Sequence, residues 1–393
     1  MRNPHFFDQT PDTLADLLAG WGMPRFRAKQ VLDWVYRKGV ADPQAMTNLS
    51  QRDRDTLAQN MTFLTGRVIR QQTATDTTQK LLIDWSLPPE APQKPTDSIR
   101  GPRTDDCSLN ALTVLNPTQG SSETQTECVL IPSTSRDSGK ARRTACVSSQ
   151  VGCPVGCKFC ASGLGGLDAN LTAGQIVQQA WQLSQLGITS GVGPLTNVVF
   201  MGMGEPLVNL KAVLPALHTL AAPWGMNLSA RRITVSTVGV PAGIKRLAAL
   251  DLPVTLAISL HAPNDELRKQ IIPWAEGVTI DQLVDAGQHY FRTTKREITL
   301  EYILLGGLND QPQHAHELAA VSKRLRSNIN LIRYNEVAGL AYARPDADDV
   351  HRFQHILQSA GRTTHIRASR GRDIAAACGQ LRHETATPTP ATL

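Results

Sequence analysis

A chain of 393 residues with 41% hydrophobic side chains can bury a sizeable core, as one large domain plus an appendage or as two to three ordinary domains. The 40 Lys and Arg against 34 Asp and Glu leave a formal charge of +6, the balance of a basic soluble enzyme or of a protein that meets polyanions such as nucleic acid. No apolar run approaches a membrane span, and the opening MRNPHFFDQTPDTLADLL lacks the charged-then-apolar pattern of an export signal, so no membrane is expected and the localisation predicted is cytoplasmic.

Residues 1–75 read as a small helical module. Leu14, Leu17 and Leu18 share one face and Val31, Trp34 and Val35 another, with Pro24 where a second helix would start. Arg25, Arg27 and Lys29 charge the tip beside that turn. Residues 76–138 read as a strand pair carrying an insertion. Within about 86–126, SLPPEAPQKPTDSIRGPRTDD is rich in proline and polar residues, and ALTVLN and TECVLIP are short strand-like runs.

From about residue 139 to 372 the pattern alternates. TACVSS, NVVFM, RITVST, VTLAISL, ITLEYILL and INLIRYN are strand candidates. Amphipathic helical stretches lie between them, at about 173–187, 208–222, 241–250, 279–294, 312–327 and 348–360. Six strand–helix units in series predict an α/β fold with a parallel sheet and helices outside. Polar or glycine residues follow most strands: Gly202 to Glu205, Ser236, Ser259 with His261, and Asn335. In a parallel barrel these would converge on one rim. A doubly wound open sheet competes, although no GxGxxG follows a first strand. Residues 373–393 form a C-terminal segment whose tail, ETATPTPATL, has the composition of disorder.

Seven cysteines, an odd number at low density, do not make a secreted disulfide scaffold. Three of them, Cys153, Cys157 and Cys160, are packed into CPVGCKFC after the first barrel strand candidate. Closely spaced thiolates hold a shared soft-metal centre. Three thiolates on a cubane leave one iron free for an outside ligand. The alternative is a zinc site completed by Cys146 or a histidine, although CxxxCxxC is not the usual CxxC spacing of zinc.

CPVGCKFC resembles the cluster motif of radical S-adenosylmethionine enzymes. ACVSSQVGCPVGCKFCASG, VVFMGMGEPLVN, ITVSTVG, AISLHAP and ACGQLR resemble, more narrowly, the RlmN/Cfr family of RNA methyltransferases, and MPRFRAKQVLDWVY and MTNLS match its accessory domain. The resemblance implies a partial (βα)6 TIM-like radical SAM barrel with a small N-terminal helical accessory domain. It implies one [4Fe-4S] cluster on Cys153, Cys157 and Cys160, and S-adenosylmethionine, two molecules per turnover, bound by Gly204, Glu205, Ser236, Ser259, Leu260, His261 and Asn335. Cleavage of the cofactor would yield a 5′-deoxyadenosyl radical. The late Cys378 would carry a methyl group, Cys146 would release the product through a transient disulfide, and Glu127, with Cys146 as the alternative, would accept the ring proton. A radical route fits the chemistry, because an electrophilic adenine ring carbon offers no nucleophile for polar methyl transfer.

The partners implied are RNA (23S ribosomal RNA, with transfer RNA as a further substrate) and an electron donor such as flavodoxin. Arg142, Arg143, Arg231, Arg232, Arg367, Arg370 and Arg372 are candidates for phosphate contacts near the rim. The activity expected is methylation of carbon 2 of an adenosine. Methylation at carbon 8 is the nearest alternative, and a non-catalytic zinc-bearing RNA-binding protein the alternative of another class. Cys107 and Cys128 are expected to be structural. Two departures from the family pattern are the roughly forty residues that intervene after KLLIDW and the polar segment from Ser133 to Lys140.

Overall fold

The computed structural model describes residues 3–86, 124–134, 139 and 141–381. ALTVLN, Cys107, most of the proline-rich insertion, much of the polar segment before Ala141 and the C-terminal tail lie outside the described residues.

The N-terminal module is helical only as far as Asn60. Its helices are α1 (Pro11–Gly20), α2 (Arg27–Leu32), which runs on into a π-helical turn at Asp33–Arg37, and α3 (Gln51–Asn60). Thr10 and Ser50 accept the backbone N–H three residues on, and so start α1 and α3. Leu14, Leu18, Val31 and Val35 are fully buried as their spacing predicts, whereas Leu17 and Trp34 sit at the edge of the core. Phe6 and Phe7 form an aromatic cluster with Tyr36, Phe63 and Trp181. Trp181 lies on α4 (Ala173–Thr189) of the main domain and donates its indole N–H to the carbonyl of Val35 at 2.9 Å, so the module is welded to the barrel. Residues 67–75, expected to be part of this helical module, instead begin the sheet as β1 (Arg67–Thr73).

One ten-stranded sheet organises the rest. In chain order its strands are β1, β2 (Gln79–Asp84), β3 (Gln125–Thr134), β4 (Ala141–Cys146), β7 (Asn197–Phe200), β8 (Ile233–Thr237), β9 (Thr255–Ser259), β10 (Ile298–Leu304), β11 (Ser327–Arg333) and β12 (Thr364–Arg367), and their spatial order is the same. The first four pair antiparallel, and β4 onward all pair parallel. A doubly wound sheet reverses its strand order at a switch point. This sheet has no reversal and winds one way, as a partial barrel does. The six expected strands are present, and β12 adds a seventh parallel one. Each β–β crossover is helical: α4, α5 (Leu210–Ala221), α6 (Pro241–Ala248), α7 (Asp265–Ile271) with α8 (Ile280–Thr294), α9 (Pro312–Lys323) and α10 (Ala347–Ser359). Strands covered on both faces should be apolar throughout, and β10 is buried at every position.

A separate hairpin of β5 (Gln150–Gly152) and β6 (Leu167–Asn170) leaves the end of β4 and pinches the base of the cysteine loop. Gly152 closes it: its φ is +73°, and a Cβ there would lie 2.1 Å from the carbonyl oxygen of Gly166. Only glycine allows that approach. The adjacent Cys153 N–H donates to the same oxygen at 2.6 Å.

Candidate active site

The C-terminal ends of the parallel strands open on one cavity. Its wall includes Cys153, Cys157 and Cys160 from the loop after β4, Gly204 and Glu205 after β7, Ser236 on β8, Ser259 and His261 at the end of β9, and Cys378 from the C-terminal segment. Residues far apart in the sequence thus share one rim, as strand ends in a parallel barrel must.

All three loop cysteines are free thiols on a partly apolar wall with Val155 and Phe159. Burial pushes each of them upward, Cys153 to about 12. A thiol in that state becomes a ligand only by giving its proton to bulk water when metal binds. Among the described residues no three His, Cys, Asp or Glu groups converge on a point where one metal ion would sit. A multi-iron cluster spreads its thiolates over separate irons, and three cysteines without a fourth on the same loop fit it.

The turn after β7 brings backbone to the cavity. Gly204 has φ +98°, and a Cβ there would stand 2.6 Å from Cβ of Gln150. Gln150 in turn accepts the Glu205 N–H at 2.7 Å. Glu205 is buried, and its two oxygens accept N–H groups of Leu207 at 3.0 Å and Val238 at 2.7 Å. Burial still outweighs those bonds and raises its pKa to about 7. A buried carboxylate that lacks a countercharge is a ready seat for an ammonium group. Gly204→Ala should wedge Gln150 away and place a side chain at a backbone conformation that costs roughly 1–3 kcal/mol. The expected result is a melting temperature below that of the parent protein, read by thermal unfolding.

His261 takes φ +59°, an unusual conformation for a non-glycine residue. Its Nδ1 accepts the Ile303 N–H at 3.0 Å, and Asn309 holds its carbonyl at 2.8 Å. Burial, with Arg268 adding repulsion, lowers its pKa to about 3. The imidazole is therefore neutral, and with Nδ1 accepting, the proton sits on Nε2. The ring is edge-on to Phe159, 5.1 Å between centroids. Ser236 and Ser259 hydroxyls lie 3.3 Å apart across neighbouring strands.

Four expected site residues, Leu260, Asn335, Glu127 and Cys146, are not on the wall. Leu260 is buried, with its N–H and carbonyl taken by Glu301 and Arg268. Asn335 donates to the carbonyl of Cys378 at 3.2 Å and accepts from Arg344 at 3.1 Å, so it anchors the C-terminal segment. Glu127 is not an exposed strand carboxylate. It is buried on β3, with Oε1 2.6 Å from the ammonium of Lys80, and its N–H faces the sulfur of Met203.

Cys146 closes β4 beside Cys378. Burial, and next the neighbouring Cys378, raise its pKa to about 12, with Arg367 pulling the other way. Arg367, one of the candidate rim cations, is also ion-paired. It lines the cavity, lies 3.5 Å from Oε2 of Glu301, and contacts Met201 sulfur. Glu301 holds it charged. Arg142, Arg231, Arg232 and Arg372 remain exposed. Arg370 is spoken for in part by Asp76, at 3.8 Å, and Arg143 donates to the Pro194 carbonyl. Cys128 is fully buried, as a structural residue would be.

Residues 5–63 match the family described as ribosomal RNA large subunit methyltransferase N-terminal domain, and residues 147–319 match the radical SAM superfamily. A probable dual-specificity RNA methyltransferase RlmN from Salinibacter ruber is 41% identical, over 94% of this chain and 92% of that protein. The dual-specificity RNA methyltransferase RlmN of Dichelobacter nodosus is 38% identical, over 96% and 93%. The crystal structure of a radical SAM methyltransferase from Sphaerobacter thermophilus superposes with a TM-score of 0.83 at 37% identity, covering 97% of this chain and all of that one.

Proposed function

The chain belongs to the RlmN family of radical S-adenosylmethionine methyltransferases, and from that premise we propose that it methylates carbon 2 of an adenosine in 23S ribosomal RNA, with transfer RNA as a second substrate. Methylation of RNA with S-adenosylmethionine follows from the family itself. The finer assignment is supported by relatives named dual-specificity enzymes and by an N-terminal module of the ribosomal RNA type. The observation that carries the chemistry is that the three-cysteine loop and Cys378 share one cavity wall, with Cys146 near enough to Cys378 to feel its charge.

In this proposal Cys153, Cys157 and Cys160 hold a [4Fe-4S] cluster. Cluster and S-adenosylmethionine together supply one-electron chemistry and the methyl group, with electrons from a flavodoxin-type donor. The protein's own groups do the rest. Gly204 lets the cofactor's methionine end approach the backbone, and Glu205 faces its ammonium, which draws the carboxyl back to its charged form. Ser236, Ser259 and the Nε2–H of His261 offer hydroxyl and N–H contacts to polar groups in the cavity. Leu260 and Asn335 act from behind, through the His261 turn and the Cys378 segment. The Sγ of Cys378 carries the methyl carbon to the base and Cys146 frees the product, while Glu127, behind the wall and paired with Lys80, is set back from the base.

The test is an oxygen-free assay with S-adenosylmethionine, a reductant and unmodified 23S RNA fragments. Reconstituted protein should contain about four irons and four sulfides per chain. Mass spectrometry should place the new methyl on carbon 2. A methyl on carbon 8 would overturn the position, and zinc in place of iron with no transfer would make the protein a non-catalytic RNA binder.

A further inference from the structure

We propose that Lys80 is a positioning residue, whose one buried ammonium joins Glu127 to the carbonyl of Ala375 and thereby fixes the turn that carries Cys378. Its relevance to catalysis rests on the assignment of Cys378 above, but the contact itself does not.

Lys80 lies on β2, where every residue is buried, and its side chain is only 4% exposed. An unpaired ammonium is not tolerated there, yet strand pairing alone needs no charge, since an apolar side chain serves as well. Two groups from different elements meet it. Glu127 Oε1 on β3 is 2.6 Å from Nζ, and Nζ donates to the Ala375 carbonyl at 3.2 Å. Ala375 is a non-glycine residue at φ +49°, three residues before Cys378. A backbone in that region persists only where its surroundings hold it.

The rest of the β1–β2 hairpin holds the same turn. Thr75 N–H donates to Asp373 Oδ2 at 2.8 Å, and Asp76 Oδ2 accepts Gly371 N–H at 3.1 Å. A Cβ on Gly371 would meet the γ-methyl of Thr78 at 2.9 Å, so hairpin and turn are pressed together. Asp373 is exposed and Asp76 half-exposed, so water competes for those contacts. The Lys80 ammonium itself is buried although Ala375 is exposed, and of the three acceptors or donors on the turn Ala375 is the nearest to Cys378 in sequence. A lysine that merely neutralised Glu127 would have no need to reach the turn.

The test measures alkylation of Cys378 by iodoacetamide in the full chain, reconstituted without oxygen and read by peptide mass spectrometry, with thermal unfolding to verify the fold. Lys80→Met should raise the rate about tenfold or more, the scale of one charge-assisted hydrogen bond. Lys80→Arg, which keeps charge and donors, should stay within about threefold of the parent protein. If Lys80→Met does not fold because Glu127 is orphaned, the double variant Lys80→Met/Glu127→Gln removes that orphan and should still show the fast rate. A return of the double variant to parental protection would mean that Lys80 only neutralises Glu127, and would overturn the proposal. So would a folded Lys80→Met that reacts at the parental rate. Methyl transfer does not enter the readout: a parent protein with no methylating activity would sink the role of Cys378 and leave this contact standing.

Discussion

Cys378→Ala is expected to lose methyl transfer to RNA by a factor of about 10⁴ or more, while its iron content and melting temperature stay close to those of the parent protein. The separation of chemistry from structure follows from how the segment is held. Ala161 N–H donates to the Gly379 carbonyl at 2.8 Å, Asn335 donates to the Cys378 carbonyl, and Gln380 donates to the Glu336 carbonyl at 2.8 Å. None of these bonds uses the sulfur. The thiol is only half-buried, so its removal leaves no deep void, and a cost under about 1 kcal/mol is the scale for such a truncation. Its partner Cys146 cannot take over, because it is almost wholly buried and its thiol is held protonated up to about 12. A serine at 378 should be as inactive as alanine, since a hydroxyl is far less readily ionised than a thiol. The check is transfer of a labelled methyl group to a 23S RNA fragment, run beside an iron assay and a thermal melt. Full activity of either variant would remove Cys378 from the mechanism.

The sequence made the barrel legible and left its supports hidden, for physical reasons. Six parallel strands lie in apolar runs followed by amphipathic helices, so the pattern locates them. The seventh, THIR, has four residues and a charged end, and reads as loop. The hairpin at the base of the cysteine loop has a fully exposed partner strand, LDAN, with no apolar alternation to reveal it. The helix expected to reach residue 327 ends at Lys323, because Ser327 already opens β11. The glycines, serines, histidine and cysteines that line the cavity stand in local motifs, which the sequence displays. The residues behind them act through non-local pairing. Lys80 and Glu127 meet across an antiparallel register, Leu82 opposite Glu127, that joins segments flanking the long insertion. The one available signal was a lone lysine in the apolar run QKLLID facing a lone glutamate in TECVLIP. Arg367 looks like any rim cation until Glu301, on a different strand, is seen beside it.

Cys146→Ala should convert a turning-over enzyme into one that stops after a single covalent event, leaving RNA attached to Cys378. With Cys378 alkylated to the base carbon, release requires a thiolate to form an S–S bond with the Cys378 sulfur. The bond from that sulfur to carbon breaks, its electron pair leaves with the carbon, and the carbon then takes a proton to become a methyl group. Cys146 ends β4 near enough to Cys378 to feel its charge, and among the described residues the only other free thiol outside the cysteine loop is the fully buried Cys128. Burial is the main cause of the high Cys146 pKa, and Arg367 is the group that pulls it back toward the thiolate. The disulfide left behind must be reduced by an external dithiol before the next round. Anaerobic reactions of Cys146→Ala should therefore accumulate a protein–RNA species approaching one per chain, stable to denaturant and to dithiothreitol because its link is a thioether. The parent protein should accumulate far less, and the double variant with Cys378→Ala none. Multiple turnovers by Cys146→Ala, or an adduct that dithiothreitol cleaves, would show that release takes another route.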